Sequence, residues 1–235
     1  MRTRTWPTVW STVRLIVAAL ITSALVGQFV TTVRAAISDD RDVGTTIANF
    51  FSFFTILSNL VAVLALLGAV VWFWMRPSHE EREPAGISLA LAGATAYLVI
   101  TGVVYNLLLR GLPTADDHVA WANEILHVVS PVFLVLDLLI APTRRALAWR
   151  AVVAILAFPI AWIVYTLLRG PFVIDPRDGV AFWYPYPFLN PNGVNGWGGV
   201  TAYVIGIAVT FVVVGTLVVA VSRWRATSPR TPVRA

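Results

Sequence analysis

Between Trp121 and Asp137 the chain reads W-A-N-E-I-L-H-V-V-S-P-V-F-L-V-L-D, a run apolar enough for a membrane that still carries Asn123, Glu124, His127, Ser130 and Asp137. On a helix turning about 100° per residue, these five side chains and Pro131 share an arc of roughly 140°. Lipid need not meet any of them. Ionisable groups are costly inside a bilayer and mark a functional face by default. His127 suits proton transfer best, because imidazole titrates near neutral pH. Glu124, His127 and Asp137 on one face could also relay protons, and the plainest role for Asn, Ser and His is hydrogen-bond glue between helices. No metal, haem or other cofactor is expected: His127 is the one His inside an apolar run, and Glu124 three residues before it does not complete a ligand set.

Such a face needs a bundle around it. With 58% hydrophobic and 12% charged residues, the composition is that of a membrane protein. The chain reads as an all-α integral membrane protein, a single domain over residues 1–235 with six spans at about 15–33, 47–75, 87–109, 119–141, 151–168 and 200–221. The first run has a rival reading as a signal peptide cut near Ala35 and Ala36, but it is long for one and Arg34 adjoins the cut. Pro159 predicts a kink in span five. His79, in R-P-S-H-E-E-R-E-P, reads as a solvated loop residue. Without cysteine there is no disulfide framework or thiol nucleophile. The lack of an internal repeat weighs against an inverted-repeat transporter.

The net charge of +5 does not point to nucleic acid, because the arginines lie between spans and in the tail rather than along one basic helix. All 17 basic residues are Arg, which with abundant Ala, Val and Gly suggests a GC-rich bacterial genome. If the N-terminus is cytoplasmic, only Arg34, Arg41, Arg110, Arg169 and Arg177 fall outside. The positive-inside rule then places both termini in the cytoplasm, with the cytoplasmic membrane of a bacterium as the expected location.

In that orientation spans two and four enter from outside at about Ile47 and Val119. Thr55 and His127 would then each lie roughly 12 Å deep at 1.5 Å per residue. Ser58 and Asn59 follow a turn below Thr55, and Tyr105 and Asn106 close the outer end of span three. The loop from Arg169 to Gly199 is long for a compact bundle and also lies outside. Its Trp183, Tyr186 and Phe188, among other rings, fit either an interface belt or a lid over the polar pocket. Asp137, about 15 Å further along than His127, is too far for a triad and is expected to pair with Arg144 or Arg145.

Three stretches carry a resemblance: F-F-T-I-L at Phe53 to Leu57, W-x-N-x-x-x-H at Trp121, Asn123 and His127, and Y-P-F-L at Tyr186 to Leu189. In order and polarity they resemble the androgen-induced membrane proteins and their bacterial six-span relatives. The acidic residue ten after the His, here Asp137, matches as well. The resemblance covers most of the chain in outline and about twenty residues in detail. It implies an intramembrane threonine hydrolase acting on fatty acyl esters of hydroxy fatty acids, with Thr55 as nucleophile and His127 as its partner. Two departures are Pro131, one residue nearer the His than in the family, and Glu124, where the family has a second His.

A Thr hydroxyl needs a neighbouring base to become a useful nucleophile. The expectation is therefore that His127 activates Thr55 against the ester of a membrane lipid or fatty acyl substrate, in a pocket opening to the outer half of the membrane. Asn59, Tyr105 and Asn123 are candidate donors to the oxyanion, and Glu124 or Asn123 would orient the imidazole. The alternative is a lipid- or small-molecule-binding protein, or a transporter, using the same polar cavity without covalent chemistry. The sequence gives no oligomeric state.

Overall fold

A computed structural model describes residues 5–76, 82–112 and 117–227. Among them every regular element is a helix, and six helices are long and apolar enough to cross a membrane. This is the architecture of an all-α integral membrane protein. The spans are α1 (Thr5–Ser38), α3 (Phe54–Met75), α4 (Ala85–Val104), a fourth built from α5 (Ala120–Glu124) and α6 (Ser130–Ile140), α7 (Ala151–Arg169) and α8 (Gly196–Thr227). A short helix, α2 (Val43–Phe50), precedes α3, with Asp42 capping it through the Thr45 N–H. π-helical turns extend α4 (Tyr105–Leu109) and join α5 to α6 (Ile125–Val129).

Helices α3 and α4 form the centre of the bundle, with α1 against α3 and α6, α7 and α8 against α4. Small residues permit this. Ala92, Ala94 and Ala96 on α4 and Ala62 and Ala69 on α3 have no exposed surface, so the helix backbones approach closely where lipid supplies no hydrophobic drive. Leu66, Leu91, Leu98 and Leu134 fill the space left between them.

The second span differs from its expected run of 47–75. The chain breaks at Phe51–Phe53, and Thr55 is the second residue of α3 rather than a site two turns inside a continuous helix. Local propensity does not cause the break; tertiary packing does. Phe50 and Phe51 both pack on Phe29, Phe53 meets Trp183 and Tyr186, and Phe54 meets Tyr97, Phe158, Trp162 and Phe211. One helix cannot point neighbouring rings at all of these partners. The Ser52 carbonyl freed by the break accepts from Trp162 Nε1 at 2.9 Å.

Span one also exceeds its expected limits: its 34 residues measure about 50 Å. Arg14, expected among the flanking charges, is buried inside the bundle. Its Nε and Nη2 donate to Asp137 at 2.6 and 3.1 Å, and its Nη1 donates to Glu83 at 2.6 Å. Trp10 Nε1 and Arg144 Nε complete the shell of Asp137 at 2.7 and 2.9 Å. Of its two expected partners, Asp137 therefore takes Arg144. The four buried charges sum to zero, which is how a bilayer protein can hold them. His79 lies outside the described residues.

Candidate active site

The break before α3 sets up the site. The first N–H groups of a helix have no partner within it, and the N-terminus carries partial positive charge. Thr55 sits there, and its backbone N–H donates to the Tyr186 hydroxyl at 3.3 Å. The Thr55 Oγ1 lies 3.2 Å from His127 Nε2 and 3.3 Å from the same Tyr186 hydroxyl.

The other ring nitrogen of His127 decides how these bonds run. Nδ1 is 3.0 Å from the backbone carbonyl of Asn123, which can only accept, so Nδ1 carries the proton. Nε2 then presents its lone pair to Thr55 and accepts the Oγ1 proton. Since Oγ1 has only that proton, Tyr186 must be the donor in its own contact with Oγ1. The chain of donors runs Tyr186 to Thr55 to His127 to the Asn123 carbonyl. Tyr186 belongs to the connection between α7 and α8, and burial pushes its phenol above the ordinary range, with the Thr55 contacts opposing. It remains a protonated donor.

Both π-helical turns lie at this site. Such turns insert an extra residue into a helix and recur at functional sites. One holds Tyr105 and the other His127, and the two rings stack with centroids 3.9 Å apart. Pro131 has no N–H to offer the His127 carbonyl four residues back, which favours departure from α geometry there. In the π-helical turn the Ser130 N–H bonds to the Ile125 carbonyl instead. The extra residue also turns the polar face away from the arc drawn for an ideal helix.

Gly102 lets α4 approach this turn. A Cβ there would stand 3.1 Å from the His127 carbonyl oxygen and 3.2 Å from Pro131 Cγ.

The remaining candidates separate. Asn59, expected as an oxyanion donor, spends its amide on the Thr55 and Leu126 carbonyls at 2.9 and 3.2 Å, and its oxygen accepts from Ser130 at 2.7 Å. It is fully buried and locks α3 to the π-helical turn of span four, so it has no donor to spare. Asn123 sends its side chain to the Tyr105 hydroxyl at 2.6 Å. The tyrosine accepts there and keeps its own proton. Glu124 pairs with Arg110 at 2.9 Å, both about half exposed, and the Asn123 backbone takes the orienting role considered for Glu124. Ser58 and Thr101 bond to each other at 3.1 Å beneath the site.

In the loop, Tyr186 reaches Thr55 itself, and Phe188 stacks on Tyr186 with centroids 5.2 Å apart. Trp183 lies behind them, edge-on to Phe53 and under the Arg169 guanidinium. The loop is held close: Arg177 pairs with Asp117 at 3.0 Å, and the Tyr184 ring packs so tightly on Gly170 that no Cβ could stand there. A cavity of about 40 Å³ opens in front of Thr55, walled by Thr101, Tyr105, Tyr186, Phe188 and apolar side chains of α3, α4, α7 and α8. It has room for a small polar group beside Oγ1. Sequence reasoning did not foresee Tyr186 as a direct partner of Thr55, or Arg14 and Glu83 as buried charges. A carboxylate inside an apolar span does demand a counter-charge, and Arg14, one turn after Trp10, was the available signal.

Compared with known proteins, the chain matches no family model, no curated protein and no solved structure.

Proposed function

We propose that the protein is an intramembrane ester hydrolase with Thr55 as nucleophile and His127 as general base. The observation that carries this reading is the fixed tautomer of His127, whose unprotonated Nε2 lies 3.2 Å from the Thr55 hydroxyl. In the proposed reaction Oγ1 bonds to the ester carbonyl carbon while its proton passes to Nε2. The imidazolium then protonates the departing alkoxide, leaving an alcohol and an acyl-threonine. Water attacks the acyl group and gives its proton to Nε2, which passes it to Oγ1 as the bond from the acyl carbon to Oγ1 breaks, releasing the acid and restoring Thr55 and neutral His127. Tyr186, freed when Oγ1 becomes an ester oxygen, turns its O–H to the oxyanion beside the N-terminus of α3. A fatty acyl ester dissolved in the membrane is the substrate, in keeping with the resemblance to the androgen-induced membrane proteins.

The distribution of arginines further supports both termini inside and the site in the outer half, and the exclusive use of Arg with abundant Ala, Val and Gly supports a bacterial cytoplasmic membrane. Reporter fusions at residues 80 and 180 should report opposite sides of the membrane.

Purified protein should turn over acyl esters and label covalently with a fluorophosphonate. Thr55→Ala and His127→Ala should each lower turnover by about 10³-fold or more, as loss of a nucleophile or its base does elsewhere. Wild-type turnover and labelling in both variants would sink the hydrolase. One observation favours a second reading, a binding protein without covalent chemistry: each hydroxyl of the cluster already has a partner within the protein, as in interhelical glue. That reading predicts lipid retention with no labelling in the wild type.

A further inference from the structure

A second cavity, about 410 Å³ in volume, runs between the end of α4 and the first half of α8. Three of its wall residues, Ile100, Val104 and Ile207, also wall the small cavity in front of Thr55. The two spaces therefore adjoin at these three aliphatic residues. Their chemistry differs. The inner one has hydroxyls from Thr55, Thr101, Tyr105 and Tyr186; the outer one is aliphatic apart from Tyr203 and Thr210. The π-helical turn contributes to the outer wall, where Leu107 is 77% exposed and so faces lipid in a bilayer. On the opposite wall Gly206 leaves the groove open, since a Cβ there would meet nothing within 4 Å. Tyr203 packs on Phe188, and Phe188 on Tyr186, so an unbroken row of rings leads from the groove to the hydroxyl beside Oγ1.

A small chamber that sets the Thr55, Thr101, Tyr105 and Tyr186 residues among apolar walls, adjoining a larger and mainly aliphatic groove, fits a molecule with one ester and one hydrocarbon chain. We propose that the groove between α4 and α8 is the acyl arm of the Thr55 pocket, and that a long-chain ester enters sideways from the bilayer and lays its tail along residues 100–108. The inference rests on the hydrolase reading and adds the route and the seat of the chain. From Ile100 to Leu108 the groove follows the helix for about 12 Å, so it holds the part of the chain next to the ester and leaves the far end in lipid. A soluble short-chain ester gains nothing from it. Hydrocarbon contacts that persist into the transition state should therefore appear as preference for long chains.

The test compares palmitoyl and acetyl esters of the same phenol, hydrolysed by protein in phosphatidylcholine nanodiscs. Gly206→Phe, which fills the groove, and Leu107→Trp, which narrows its lip from the lipid side, should each lower the palmitoyl-to-acetyl ratio of kcat/KM by about ten-fold, the worth of one or two displaced methylenes. Because Leu107 faces lipid, its variant keeps the test open if Gly206→Phe does not fold. Val153→Phe, on the exposed face of α7, should leave the ratio unchanged. A palmitate analogue with a mid-chain diazirine gives a reading independent of turnover: its crosslinks should concentrate on residues 103–108 and 202–210 over the exposed face of α7, and fall in Gly206→Phe. A ratio within two-fold of wild type in both groove variants, or crosslinks spread evenly over every lipid-facing helix, overturns the acyl arm. If wild type cleaves neither ester the hydrolase reading fails, and the crosslink pattern alone then decides whether a chain occupies the groove.

Discussion

Tyr186 and Tyr105 both put hydroxyls into the cavity at Thr55, but their roles differ. Tyr186 donates to Thr55 Oγ1 and sits at the N-terminus of α3, where the proposed reaction would build up charge. Tyr105 receives the Asn123 amide and lends its ring to His127. Tyr186→Phe should then lower kcat by about 10²-fold, within the range for loss of one oxyanion donor. Tyr105→Phe keeps the stacked ring and should cost less than about ten-fold. Steady-state rates for the two variants would separate them, and equal losses would remove Tyr186 from the oxyanion role. Because burial raises the phenol of Tyr186, its proton should stay on beyond the usual tyrosine titration near about 10, and no alkaline fall in rate from this group is expected below that pH. At this scale the contact of Thr55 with His127 could be anticipated from the chain, since both were expected eight residues into apolar runs that enter from the same side. The partner role of Tyr186 could not, because a ring on a long connection has no period or spacing to tie its hydroxyl to a particular helix residue.

The six apolar runs were legible as helices for a simple reason: in lipid each backbone polar group must be satisfied within its own segment. The interruptions at the site were not. F-F-S-F-F holds no Gly or Pro to announce a break, and neither π-helical turn has a composition of its own. Equal depth for Thr55 and His127 assumed a continuous second span, whereas their contact arises from the start of α3 meeting a π-helical turn. Gly102 lets α4 close on that same π-helical turn. Gly102→Val should push α4 off the His127 carbonyl and Pro131, lowering both thermal stability and kcat/KM, the latter by at least about ten-fold, since a shift of about 1 Å at a site can cost more. Gly68→Ala makes the opposite case. It lies within α3 with nothing near its would-be Cβ, so alanine should stabilise by about 0.5 to 1 kcal/mol and leave the rate alone. Melting curves in detergent read both signs. A neutral Gly102→Val would mean that α4 can yield without disturbing the histidine.

Across the whole molecule the polar groups divide between two ends. The candidate site joins the start of α3, the π-helical turns and the loop before α8. Some 15 Å along the bundle, Asp137 gathers Trp10 and Arg14 from α1 and Arg144 from the connection after α6, while Glu83 binds Arg14 and Thr143. Each of these carboxylates is fully buried, so losing one leaves guanidinium charge in the protein interior without its partner. Breaking such a pair costs about 3 to 5 kcal/mol, against at most about 1 kcal/mol for an exposed pair such as Arg110 with Glu124. Asp137→Ala should therefore unfold at markedly lower temperature than Glu124→Gln. Sites this far apart with no shared partner contribute independently, so below its own unfolding transition Asp137→Ala should hydrolyse esters at the wild-type rate per folded molecule. Unfolding curves and active-site titration with the fluorophosphonate give the two quantities separately. A lowered rate per titrated site, with stability intact, would show instead that the charge cluster takes part in the chemistry at the other end, as a proton path through the bundle would require.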